Sequence, residues 1–125
     1  MNKICTSLEQ SQKLKELGIN VNTADMWYLP IKRNEKIYYD LTVHCSLTRG
    51  IIPAWSISAL LYVINQVREI NHQRVTILVG RFAGNHWYVE ILRVQDERSV
   101  VFVHSEELVD ACYEMILNLK ELNVL

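Results

Sequence analysis

Four histidines and three cysteines are the side chains of this sequence best suited to chemistry. His44 and Cys45 stand side by side, and a thiol with an imidazole is the minimum for a thiolate nucleophile and its base. Adjacent residues of an extended strand point to opposite faces, so these two side chains would not meet. A catalytic couple would need Cys45 or Cys112 with a distant histidine, and no local signature of a cysteine hydrolase surrounds either residue. A cysteine-dependent enzyme is therefore the last of three readings. His72, His86 and His104 show no HxH or HxxxH spacing, so no metal site is assigned. His86 and His104 close two neighbouring predicted strands and are the pair expected to lie near one another. The cysteines are odd in number and form no CxxC, which argues against a disulfide framework and a thiolate zinc site. Cys112 falls within a helical pattern, where a thiol behaves as a small apolar residue.

Gly80-Arg81-Phe82-Ala83-Gly84-Asn85 carries two glycines without the GxxxxGK[ST] of a phosphate loop. It reads as a hairpin loop whose tip would gather Arg81, Phe82 and His86, a candidate binding point. The adjacent carboxylates Asp96-Glu97 and Glu106-Glu107 sit in a turn and at a helix start, where solvated caps are the ordinary case. The most aromatic and basic stretch holds Trp27, Tyr28, Lys32, Arg33 and Tyr38. Such groups can stack single-stranded nucleic acid or cradle a small ligand, which is the second reading. Asp25, Glu35 and Asp40 dilute the positive charge there, so nucleic acid is not the favoured partner. Trp55 and Trp87 read as core anchors. No catalytic residue and no cofactor is assigned.

The elements that must position these groups follow from periodicity. Thr6-Ser7-Leu8-Glu9 has the form of a capping box. Leu8, Leu14 and Leu17 then make a narrow apolar stripe, and Gly18 ends the helix. Met26–Ile31 and Ile37–Val43 are two strands around a polar turn, with Pro30 near an edge or strand end. Ser56 caps a second helix in which Ile57, Leu60, Leu61, Ile64 and Val67 share one face, with Tyr62 and Val63 widening its cover. Val75–Val79, Trp87–Val94 and Ser99–His104 are three further strands. Trp87, Val89, Ile91 and Val94 are expected inward, Tyr88, Glu90 and Arg93 outward, with an irregularity near Leu92. Val109, Cys112, Tyr113, Ile116, Leu119 and Leu122 define a last helix with acidic groups at its start.

The chain has 125 residues, half of them hydrophobic, with 22% charged and a formal net charge of -1. One domain spanning 1–125 is expected from that length. Near-neutrality removes the bulk electrostatic drive toward nucleic acid or anionic lipid. The first residues contain no apolar run of signal-peptide type, and no stretch reaches membrane-span length. A cytoplasmic location without membrane association is the expectation. The fold expected is α+β: an antiparallel sheet of four to five strands with three helices, in the order α-ββ-α-βββ-α.

Several strings resemble a family of small proteins encoded in phage and prophage regions of gut bacteria. They are Cys5–Ser11, Leu14–Gly18, Thr23–Met26, Ile52–Leu61 and Val109–Ile116, which together span most of the chain. The layout is also similar to phage ABA-sandwich domains, in which helices cover both faces of a small sheet. The resemblance implies a phage-associated context and carries no established activity. Leu108 departs from the proline that many such proteins place before Val-Asp-Ala. The leading reading is a non-enzymatic accessory protein that acts through protein–protein contact as a homo-oligomer.

Overall fold

In the computed structural model, which describes residues 3–44, 49–82 and 84–125, the first helix starts one residue later than its motif predicts. Helix α1 spans Leu8–Glu16 and is capped by Ser7, not Thr6. The Ser7 hydroxyl accepts from the Gln10 amide at 3.1 Å, and the Gln10 side chain accepts from the Ser7 amide at 3.0 Å. The capping box is therefore Ser-x-x-Gln. Thr6 is displaced from that role because it is wholly buried: its hydroxyl bonds Ser11 at 2.8 Å and accepts from the Trp55 amide at 3.1 Å.

Strands β1 (Met26–Arg33) and β2 (Lys36–Thr42) form a hairpin. Its turn residues Asn34 and Glu35 have φ of 50° and 65°, the left-handed pair that a tight two-residue turn requires. A short strand β3 (Ile52–Ala54), in a segment for which periodicity predicts no strand, pairs with Met26–Tyr28 alone. At Pro30, β1 thus has a single strand neighbour among the described residues, which suits a residue with no N–H to give. The three strands make one sheet in the order β2-β1-β3.

Helix α2 (Ile57–Asn65) is capped by Ser56 as expected, its hydroxyl accepting from the Ala59 amide at 3.2 Å. Asp25 fixes that cap by accepting from both the amide and the hydroxyl of Ser56. Leu60, Val63, Ile64 and Val67 are buried, whereas Tyr62 turns to solvent.

The second sheet runs β4-β5-β6-β7, all antiparallel. Its strands are β4 (Glu69–Ile70), β5 (Gln73–Phe82), β6 (His86–Arg93) and β7 (Ser99–Ser105). Strand β5 runs through Gly80, Arg81 and Phe82, which the sequence reading placed in a loop. The register slips between Ile91 and Leu92, as the broken alternation predicted. Beyond that bulge Val94 is exposed and not inward. Helix α3 (Leu108–Glu121) begins at Glu107 without a side-chain cap. It is tied instead to the chain's first segment. Lys3 donates its amide to Glu107 at 3.0 Å and its ammonium to Asp110 at 2.7 Å, and Gln10 donates to Asp110 at 2.8 Å.

The expected α+β class with three helices is what forms, but the strands divide into two sheets and not one. Helices α2 and α3 pack on each other, and α3 lies on β6 and β7. Trp55, Leu60, Ile64, Val89, Ile91, Met115, Ile116 and Leu119 are among the side chains that fill the core between them. The other face of the four-stranded sheet leaves Leu78, Phe82 and Phe102 exposed. Helices thus cover one face of that sheet, in place of the two-sided cover of a sandwich. Among the described residues, no helix is long and apolar enough to cross a membrane.

Candidate functional site

Alternation along β5, β6 and β7 sends Val75, Ile77, Val79, Val89, Ile91, Val101 and Val103 toward the helices. The intervening residues are forced onto the open face. There Phe82, Tyr88 and Phe102 meet as a continuous group of rings. Their centroids lie 5.1 Å apart for Phe82–Tyr88, 5.7 Å for Tyr88–Phe102 and 6.2 Å for Phe82–Phe102. These are the offset and tilted separations at which aromatic pairs attract.

The cluster depends on Gly80. Gly80 pairs with Tyr88 across β5 and β6, and the end of the Tyr88 ring lies where a side chain would stand. A Cβ on Gly80 would come within 2.3 Å of Tyr88 Cζ and Oη. The missing side chain is thus what lets the ring lie across its neighbour strand, with the rest of the cluster built around it.

His86 and His104 stand at one end of this face. His86 Nε2 and His104 Nδ1 are 2.7 Å apart, with ring centroids at 4.9 Å. His86 also lies 6.1 Å from Phe82, and His104 lies 6.0 Å from Phe102. Glu90 occupies the middle of the face, opposite Leu78 on one side and Phe102 on the other.

The loop expectation is half met. Phe82 and His86 are cross-strand partners on the open face. Arg81 projects to the opposite side of the sheet, with its guanidinium 5.4 Å from the Trp87 ring centroid. Trp87 itself is half-buried and outside the buried core.

The aromatic and basic stretch of the hairpin does not converge. The register puts Trp27, Ile31, Arg33 and Tyr38 on one face, and Tyr28 and Lys32 on the other. Arg33 and Tyr38 do share a shallow open hollow with Ile31, Asn34 and Asp40. Tyr28 is committed to structure: its hydroxyl donates to the Thr6 carbonyl at 2.7 Å and lies 3.8 Å from Cys5 Sγ. Burial, reinforced by the Cys5 contact, pushes its pKa up to about 12.

The two described thiols, Cys5 and Cys112, are poor nucleophiles. Cys112 is wholly buried, and burial pushes its pKa up to about 12. Burial also raises that of Cys5, against the opposing bond from Tyr28. Cys45 lies outside the described residues. Among the described residues, no three His, Cys, Asp or Glu side chains gather as metal ligands.

Sequence reasoning singled out Phe82 and His86 and expected His104 beside His86, as found, but missed Tyr88 and Phe102 as their companions. The available signal was the period-two alternation, which already turned Tyr88 and Glu90 outward. Comparison with known proteins found no matching family, no matching curated protein and no matching solved structure.

Proposed function

We propose that this chain is a non-enzymatic, phage- or prophage-associated accessory protein whose open sheet face seats a second copy of the chain. The observation that carries the reading is the uncovered ring cluster of Phe82, Tyr88 and Phe102 on a sheet whose other face is packed. Contiguous exposed apolar and aromatic surface marks sites of protein contact. The resemblance of Ile52–Leu61 and Val109–Ile116 to phage-encoded proteins supports the context.

Charge separates this reading from a nucleic-acid platform. A stacking surface for single strands combines rings with a basic groove. Here the central charged residue is the carboxylate of Glu90, which would repel a phosphate backbone. A chain of net charge -1 brings little repulsion to a meeting of two copies, and like rings pack well against like rings.

The test is the solution mass by light scattering across micromolar concentrations. A dimer reduced to monomer by Phe102→Lys supports the reading. A strict monomer, or a dimer indifferent to Phe102→Lys and Phe82→Lys, overturns it. Salt-sensitive binding of short single strands that is lost in Phe102→Ala and Phe82→Ala would transfer the face to nucleic acid.

A further inference from the structure

The ring pair at the end of the open face has a chemistry that ring packing does not use. Two imidazole nitrogens, one on β6 and one on β7, approach to 2.7 Å, and neither ring has another hydrogen-bond partner among the described residues. An N···N bond of this kind needs one nitrogen to present a lone pair and the other an N–H. Moving that proton to the far nitrogen of its own ring leaves two lone pairs facing each other across the gap.

We propose that His86 Nε2 and His104 Nδ1 form a chelating site for a divalent transition-metal ion of the nickel(II) or copper(II) class. Imidazole is a good ligand for such ions, whereas calcium and magnesium take oxygen. The Irving–Williams order favours it further, since the affinity of a nitrogen site rises through nickel(II) to copper(II). With metal–nitrogen bonds of about 2.0–2.1 Å, a right-angled pair of ligands sits about 2.9 Å apart and a tetrahedral pair about 3.3 Å apart. The 2.7 Å of the hydrogen bond must lengthen to reach either separation. A tilt of each ring completes the fit, and rotation about the imidazole torsion is soft. The strands hold the two backbones at a fixed spacing, since Tyr88 pairs with His104 and Trp87 with Ser105. Both rings are reached from solvent, so the ion's remaining positions stay open to water or an external ligand. The site stands independently of self-association, because both nitrogens come from one chain.

The experiment is a calorimetric titration of untagged protein with nickel chloride in a non-coordinating buffer. The expected result is one ion per chain. Affinity should fall about tenfold or more in His86→Ala and equally in His104→Ala, because either loss breaks the chelate. His44→Ala and His72→Ala should leave it unchanged. Absence of binding, or an affinity that responds to His44 or His72 and not to this pair, overturns the proposal. Wild-type protein alone also decides it: nickel must broaden the amide signals around His86 and His104 first. Broadening that begins at His44 or His72 refutes it.

Discussion

Gly80 offers a test of the sheet face in which the sign of an effect reverses. Gly80 lies within β5 and has no positive φ, so alanine is acceptable to the backbone. Taken alone, glycine to alanine in a strand should stabilise by roughly 0.5–1 kcal/mol, through reduced freedom of the unfolded chain. In the wild-type background the new Cβ meets the Tyr88 ring at 2.3 Å, and the ring must swing away. It then leaves Phe82 at 5.1 Å and Phe102 at 5.7 Å. Each such pair is worth about 0.5–1.5 kcal/mol, so roughly 1–3 kcal/mol is lost. Gly80→Ala is therefore expected to destabilise by about 0.5–2 kcal/mol on balance. In a Tyr88→Ala background nothing obstructs the methyl, and Gly80→Ala should stabilise by about 0.5–1 kcal/mol. Urea denaturation of the four proteins, followed by tryptophan fluorescence, completes the cycle. A coupling of about 1–3 kcal/mol is expected. Additivity within about 0.5 kcal/mol, or one sign in both backgrounds, would refute the view that Tyr88 rests on Gly80.

Three further perturbations probe the scaffold. Thr6→Val removes the acceptor of the buried Trp55 amide and the partner of Ser11; it should cost about 1–3 kcal/mol in urea denaturation, with Thr6→Ser largely restoring it. Asp110 is partly desolvated, which opposes its ionisation, but the bonds from Lys3 and Gln10 outweigh this and hold its carboxyl below the usual range. Its lowered pKa stabilises the fold above the unfolded value of about 3.9, and that stability is lost as pH falls through the folded value. At neutral pH Asp110→Asn should therefore cost about 0.5–1 kcal/mol, an amount limited by solvent screening of a pair about one-third exposed. The gap from wild type should close as the medium is acidified from about pH 4 downward; a gap unchanged at pH 2 would contradict this. Cys112, with its pKa pushed up to about 12, should resist iodoacetamide at pH 8 until the protein is unfolded, as read by mass spectrometry of the labelled peptide.

Helices were the most legible part of the chain. Ser56 before an apolar stripe located α2, and the leucine spacing located α1, because caps and period are both local signals. The one-residue error at Thr6 came from its tertiary partners, Trp55 and Ser11, which no local rule contains. Strand positions were legible too, down to the slip at Leu92, but the division into two sheets was not. That division rests on β3 pairing with Met26–Tyr28, a contact of three residues in an apolar segment that reads equally well as a helix approach. The candidate face was half legible for a related reason. Glycine at position 80 suggests a turn when read alone, and only the cross-strand register shows that its place is taken by Tyr88. Trp27, Tyr28, Lys32, Arg33 and Tyr38 looked like one surface because they are close in sequence. The same alternation that builds the hairpin divides them between its faces.

The bonds joining Lys3 and Gln10 to Glu107 and Asp110 span 100 to 107 residues of chain. Strands β5 to β7 and α3, by contrast, join near neighbours in sequence. Closing a long loop costs more entropy than closing a short one, so the near-neighbour unit has the easier route to assembly. During synthesis, α1 is made before the helix that receives it, and its docking onto Asp110 must wait for that helix. The N-terminal segment is in this sense a late clasp. It locks a sheet and helix assembled by shorter-range contacts, and its closing buries Thr6, Ser11 and Leu14.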